Sequence, residues 1–335
     1  MSVSLLFRRF AKRLVPQAII LLYHRVAEND IDPQLLCVSP KNFADHMEVL
    51  RTTCRPLSLG KLSGRKLLNL GSPRSAVVTF DDGYADNFMN AKPILQRYEI
   101  PATVFVSTGF IDTKQAPYWD ELASIFLQTP VLPPKLTLLV NGEMKIWEFD
   151  GEQSIDGAWH VLKEIKFARQ GAYQTLCDLL RSLSPQMRDE IMTHIRKWSR
   201  KDEAAAANNQ FMTVEQLGRL TDDGLMEAGA HTITHPNLAS LSAQEQRREI
   251  VEGRRQLEEM TGHRVCSFAY PYGSRDNYTL ETVQILEEEG FDCGCSNFGG
   301  TAWFGTNRYQ LPRVLVRNWP AEEFADHIKR FFVVD

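Results

Sequence analysis

Long apolar runs are missing from this chain of 335 residues. A helix that crosses a bilayer needs about 18 or more consecutive apolar residues, and the longest run near the start covers only residues 18–23. A membrane-spanning chain is therefore not expected. Cysteine is scarce as well. The six cysteines show no regular spacing beyond Cys293-Gly294-Cys295, which excludes a disulfide scaffold and fits a reducing cytoplasm. Each also reads simply as a small buried apolar group. An excess of positive charge is lacking too: 38 Lys and Arg face 42 Asp and Glu, a formal net charge of −4. That balance gives no general attraction to nucleic acid. A secretory leader would need an uninterrupted apolar stretch of about 7–15 residues before a small-residue cleavage site, whereas residues 1–15 are broken by Arg8, Arg9, Lys12 and Arg13. The expected location is cytoplasmic.

What the chain does have is ordinary globular composition, 43% hydrophobic and 24% charged, with a length that suits two domains or one large α/β barrel. Residues 1–17 stand apart as a basic segment. Wound as a helix, Val3, Leu6, Phe7, Phe10 and Leu14 form an apolar stripe opposite the four cations. Such a helix can pack on the domain, the commoner use of the pattern, or lie peripherally on an anionic membrane through residues 1–15.

From residue 18 onward, short branched apolar runs alternate with helical spacing. Strands are predicted at 18–23, 76–80, 102–106, 228–230, 266–269 and 311–316, and helices at 42–54, 91–98, 214–227, 242–260 and 279–289. This alternation implies an α/β fold with a parallel sheet covered by helices, open or closed into a barrel. The rhythm breaks at about 114–210, where helices at 158–166 and 173–183 and a β-like pair at 136–147 suggest a largely helical insertion. A polar linker at 201–209 returns from it. Insertions at strand ends shape access to a site.

Three strand ends carry chemistry. Thr79-Phe80-Asp81-Asp82-Gly83 places two adjacent carboxylates after a buried run. The turn-forming use of Asp-Gly is the plain alternative. Two neighbouring acids can divide labour, one holding a cation and the other staying ionised beside it as a base. His231-Thr232-Ile233-Thr234-His235-Pro236 sets two imidazoles four residues apart, bracketed by Gly229 and Pro236, so both rings should emerge from a strand-to-loop turn. Two His and one Asp suit zinc or another first-row divalent ion. Phe268-Ala269-Tyr270-Pro271-Tyr272-Gly273 is a third strand followed by a Pro-Gly turn.

In this order the three motifs resemble those of the polysaccharide deacetylases, the carbohydrate esterase family that shares the chitooligosaccharide deacetylase homology domain. The likeness covers roughly residues 19–316, with the insertion outside the shared core. It implies a distorted (β/α)7 barrel over residues 18–335 and hydrolysis of acetamido groups on sugars. By the same likeness Asp81 is the general base, Asp82, His231 and His235 are ligands of one divalent metal, zinc first among zinc, cobalt, nickel, manganese and iron, and Tyr272 offers its backbone N–H to the oxyanion.

Two departures matter. The family's third motif has Arg where this chain has Ala269, and its final His general acid is absent from Leu315-Val316-Arg317-Asn318-Trp319. His327 lies beyond, on an expected surface helix, and is a poor replacement. Tyr23-His24-Arg25 is similar to an early Tyr-His in the exopolysaccharide deacetylases of rearranged motif order. His24 is thus the candidate acid, with a structural His closing the first strand as the alternative. Arg313 is expected to replace the missing Arg beside Asp81, a surface ion pair being the other reading. Tyr84, Trp119, Trp303 and Trp319 can stack on sugar faces or pack in the core.

The expected activity is metal-dependent removal of N-acetyl groups from an amino sugar, in a saccharide or its lipid-linked precursor. The expected partner is that acetylated saccharide, with no nucleic acid and no identifiable protein partner. The alternatives are hydrolysis of a small non-sugar amide and a catalytically silent carbohydrate-binding homologue.

Overall fold

The structure, a computed structural model, describes residues 17–63, 74–149, 157–200, 210–303 and 305–333. The basic segment read at 1–15 and the linker read at 201–209 lie outside the described residues. Twelve strands are named in chain order: β1 (Gln17–Tyr23), β2 (Arg25–Val26), β3 (Cys37–Val38), β4 (Arg55–Pro56), β5 (Arg74–Phe80), β6 (Ala102–Val106), β7 (Lys135–Val140), β8 (Glu143–Glu148), β9 (Met226–Ala230), β10 (Ser267–Ala269), β11 (Cys293–Cys295) and β12 (Val314–Leu315).

The chain forms two compact units. One comprises Met1–Glu28, Cys37–Asp112 and Phe211–Asp335, and the other comprises Asn29–Leu36 with Thr113–Gln210. The eight residues Asn29–Leu36 belong to the second unit, although their sequence gave no sign of it. The expected insertion at 114–210 therefore has a second, smaller piece near the start of the chain.

In the first unit the sheet runs β11, β10, β9, β6, β5, β1, β12, with β4 alongside β5. Every named pairing in it is parallel. Parallel strands are covered on both faces, so their runs are apolar throughout rather than alternating. Ile19, Leu21, Val78, Phe80, Val104 and Val106 belong to one core cluster, to which the flanking helices contribute Phe43, Met47, Leu217, Ile250, Leu257 and Phe324. Ala18, Ile20, Val77, Phe105, Ala269, Cys293 and Cys295 belong to a second cluster with Leu57, Leu59 and Leu62. The alternation of residues along β1 between the two clusters is the pleat of a strand seen from both sides.

One segment joins the two ends of this sheet. Leu311 bridges Cys295 of β11, and three residues later Val314 opens the pairing of β12 with β1. The architecture is the distorted (β/α)7 barrel. The strand expected over 311–316 is reduced to Val314–Leu315 because Pro312 has no N–H for a ladder.

The helices start where side chains can cap them. Ser39 opens Pro40–Thr53 by accepting from the Asn42 N–H at 3.2 Å, and Ser242 with Glu245 forms a capping box at the head of Ala243–Thr261. Two expected helices differ. The one expected over 214–227 ends at Thr221, where Lys92 Nζ donates to the carbonyls of Arg219 and Leu220 and Gly224 turns the chain at φ 68°. Met226 then already belongs to β9. The helix expected over 158–166 does not form: Trp159 is buried and its indole N–H donates to the Glu164 carbonyl at 3.1 Å, a bond that competes with helical pairing. Its apolar members Leu162 and Ile165 are exposed. The helix of this region is Ala168–Ser182, started by Gln170 Oε1, which accepts from the N–H groups of Lys166 and Phe167 at 2.8 and 3.1 Å. Antiparallel β7 and β8 form the expected β pair of the second unit.

All six cysteines are free thiols, four of them buried. Among the described residues no helix is long and apolar enough to cross a membrane.

Candidate metal centre and catalytic site

The residues named from the three motifs gather at the carboxyl ends of β1, β5, β9 and β10, the face at which barrels of this kind place their chemistry. Asp81 leaves β5 with its N–H donated to the Tyr23 carbonyl of β1 at 3.0 Å. Asp82 follows at φ 76° and Gly83 at φ 84°, so the chain turns sharply and the two carboxylates diverge. Both are buried.

His231 continues β9, its N–H donated to Val106 at 3.1 Å. His231 Nδ1 lies 2.7 Å from the Ala269 carbonyl. That carbonyl can only accept, so Nδ1 carries the proton and Nε2 is left as the lone-pair nitrogen facing the acids. The turn to His235 is held by unusual backbone: Thr232 has φ 68° and His235 φ 53°, and the His235 N–H donates to Thr232 Oγ1 at 3.1 Å. His231 Nε2 and His235 Nε2 stand 3.6 and 3.4 Å from Asp82 Oδ1.

These three donors fit a divalent ion. Ligand atoms of Asp82, His231 and His235 all lie within 4.8 Å of one another, and Asp82 Oδ1 is buried without a hydrogen-bond partner. Two neutral nitrogens and a carboxylate around such an orphaned oxygen are the donor set of zinc and its first-row neighbours.

Asp81 is held differently. Arg313, 1% exposed, forks onto it with Nη1 to Oδ1 and Nη2 to Oδ2, both at 2.7 Å. The guanidinium is fixed in turn, Nε donating to the Ser296 carbonyl at 2.9 Å and Nη1 to Thr79 Oγ1 at 3.3 Å. Burial pushes the Asp81 carboxyl up, and the Arg313 guanidinium with His231 more than reverses this, leaving it below the usual carboxylate range. Asp82 is depressed too, the two imidazoles overcoming burial. Burial pushes the His231 imidazole down, but Asp81 and Asp82 bring it above its ordinary value.

His24 closes β1 and is half-buried. Asn87 Nδ2 holds its carbonyl at 2.8 Å, and its Nδ1 is buried with no hydrogen-bond partner among the described residues. Burial lowers its pKa, against the pull of Asp82 and Asp81. Tyr272 is half-buried at φ 60°, with its ring 4.6 Å from that of His235. Its carbonyl accepts from Asn297 Nδ2 at 3.3 Å.

The aromatic candidates separate. Tyr84 is fully buried, stacked on Phe211 at 5.0 Å and covered by Arg25 at 4.6 Å. Trp119 is 7% exposed against Tyr118. Neither ring is open to a sugar, so for these two the core-packing reading holds. Trp319 is half-buried and stacked on His327 at 4.1 Å, while Trp303 is 40% exposed. His327 also lies 3.7 Å from Glu323 on its own helix. Sequence reasoning missed Glu249, Ser296 and Asn297, which hold the site's loops. Most of their bonds have a backbone atom at one end, which no residue pattern announces.

The sequence pattern of the family described as polysaccharide deacetylase matches residues 70–131 and 194–293, on either side of the larger part of the second unit. YxkH of Bacillus subtilis (strain 168), assigned as a polysaccharide deacetylase, is 20% identical over 299 residues, spanning 89% of this chain and 70% of its own. Among solved structures, Streptococcus pyogenes deacetylase PplD in complex with acetate superposes with TM-score 0.59 at 18% identity, over 94% of this chain and 99% of that one. IcaB from Ammonifex degensii gives TM-score 0.59 at 19% identity over 94% and 97%. These structures share the fold. With the family pattern falling on the strand ends that carry Asp81, Asp82, His231, His235 and Tyr272, the chain belongs to the polysaccharide deacetylase family.

Proposed function

We propose that this protein hydrolyses the acetamido group of N-acetylated amino sugars, in a saccharide or its lipid-linked precursor. The observation that carries the reading is Asp81, clamped ionised by the Arg313 fork beside the Asp82, His231 and His235 donor set. A divalent ion held by those three residues, zinc in the first place, would polarise an acetyl carbonyl and acidify water.

The chain's own groups do the rest. Asp81 accepts the proton of the attacking water, a carboxylate fixed in orientation by two bonds from one guanidinium. The water oxygen bonds to the carbonyl carbon, and the Tyr272 N–H stabilises the charge that gathers on the carbonyl oxygen; one such donor typically contributes about 3–4 kcal/mol. The C–N bond then breaks and the amine takes a proton from His24, releasing acetate. A His whose pKa is lowered is a strong donor once protonated. Trp303, exposed, is the aromatic candidate for a sugar face. The six free thiols support a reducing, cytoplasmic setting, where the saccharide would be a precursor under construction.

Acetate release from N-acetylated oligosaccharides, measured with metal-stripped and metal-reloaded protein beside a panel of small amides, tests the reading. Turnover of the saccharides only after reloading is expected. Turnover confined to the small amides, or none at all from a metal-loaded chain, refutes it.

A further inference from the structure

The turn that presents His231 and His235 has an anchor that the reaction does not use. Ile233 and Thr234, between the two imidazoles, direct consecutive backbone N–H groups to one oxygen, Glu249 Oε2, at 2.9 and 3.0 Å. The other oxygen, Oε1, accepts from Thr234 Oγ1 at 3.0 Å. Glu249 sits on the helix Ala243–Thr261 and is 2% exposed. Consecutive amides converging on one point form a concave anion site, and here a side chain of the same protein fills it.

The turn needs such an anchor. Thr232 lies in the left-handed region at φ 68° and His235 at φ 53°, conformations that cost a residue with a Cβ about 1–2 kcal/mol each. Two glycines confirm how closely it is pressed. A Cβ on Gly253, one turn along the same helix, would stand 2.9 Å from the Thr232 carbonyl carbon, and one on Gly109 would stand 2.7 Å from the Ile233 oxygen. The Gly109 N–H donates to that oxygen at 2.9 Å. The turn is thus gripped from its carbonyl side by residues 108–109 and from its amide side by Glu249.

We infer that Glu249 is a positioning residue for the metal centre: its carboxylate sets the spacing and aim of His231 and His235 by binding the amides between them. The inference rests on the metal reading of Asp82, His231 and His235. A group that orients ligands in this way typically changes metal affinity by 10–100-fold when removed. A merely structural glutamate would lower stability and leave the affinity of the folded chain alone.

The test measures zinc affinity of the full chain by competition with a chromophoric chelator, together with the visible spectrum of the cobalt-loaded protein and the thermal midpoint without metal. Glu249→Ala should weaken zinc binding by at least about 10-fold and alter the cobalt spectrum. Glu249→Gln, whose amide oxygen can take both N–H groups, should restore most of the affinity. Gln246→Ala is the control: Gln246 is buried on the same helix and bonds Thr282 and Leu241, not the turn, so it should lower the midpoint without changing zinc affinity. Should Glu249→Ala fail to fold, Glu249→Asp keeps the charge and withdraws it by one methylene, with the same loss expected. Zinc affinity within twofold of wild type in the folded Ala or Asp variant, with an unchanged cobalt spectrum, overturns the inference. A wild-type chain that binds no metal overturns the metal centre itself.

Discussion

Replacing Arg313 by Met removes a guanidinium from a fully enclosed site and leaves its partner behind. The side chain makes two bonds of 2.7 Å to Asp81, one of 2.9 Å to the Ser296 carbonyl and one of 3.3 Å to Thr79. Each hydrogen bond to a charged group is worth about 1.5–3 kcal/mol, and breaking a buried pair at one end costs about 3–5 kcal/mol because the other charge is stranded. The two bonds to Asp81 alone would amount to about 3–6 kcal/mol, close to the second figure, so Arg313→Met should lose about 3–5 kcal/mol near neutral pH. The pH dependence should change sign. In the wild type the folded Asp81 pKa lies below its unfolded value, so its stabilisation is present at neutral pH and disappears as pH falls through the folded pKa. Without the guanidinium, burial prevails and the folded pKa lies above the unfolded one. The residue's contribution then worsens as pH rises above the unfolded value, near 3.9. Urea unfolding of metal-free wild type and variant between pH 3 and pH 8 measures both effects, and acetate release should show the acidic limb of kcat/KM moved to higher pH. A loss below about 1 kcal/mol, the scale of an exposed pair, with parallel pH curves would refute the account of the Asp81–Arg313 pair.

His231→Ala and His235→Ala should each lose metal content and activity together, read by elemental analysis of purified protein; stoichiometric metal in both would contradict the ligand assignment. Asp81→Asn should retain its metal while kcat falls by roughly 10² or more, and near-normal turnover would exclude it as base. His46 is fully buried between Tyr23 and the Trp319 carbonyl, and burial first, against the carbonyl bond and Asp45, lowers its pKa to about 4. Its neutral form is the one that fits the fold, so stability should fall as pH drops from about 6.5 to about 4, by an amount on the order of 3 kcal/mol. His46→Gln should flatten that part of the curve in urea melts, and an unchanged slope would refute the cause.

The barrel was legible because parallel strands are buried on both faces and announce themselves as unbroken apolar runs, as at 18–23 and 102–106. Asp81, Asp82, His231 and His235 were legible because each stands where such a run stops. The same pattern misled at 158–166, where Leu162 and Ile165 have helical spacing but face water and Trp159 ties up a backbone carbonyl. Asn29–Leu36 could not be assigned to the second unit from sequence, since only the folded chain brings it beside residues such as Tyr173, which accepts from Gln34 at 2.9 Å. Glu249 was invisible for a related reason. It is one of several acids on a long helix, and what distinguishes it is a bond to amides 15 and 16 residues away.

Four residues of the centre, Asp82, Thr232, His235 and Tyr272, occupy left-handed backbone without being glycine. Each forgoes about 1–2 kcal/mol that glycine would recover, so four of the nine such positions among the described residues lie in the reactive centre. Laboratory evolution for heat resistance alone would therefore drift toward glycine at 82, 232, 235 and 272, and the survivors would be sturdier and inert. Any thermostable form that still turns over must find its gain in other places, and freezing these four codons is the rational start for a stabilisation library.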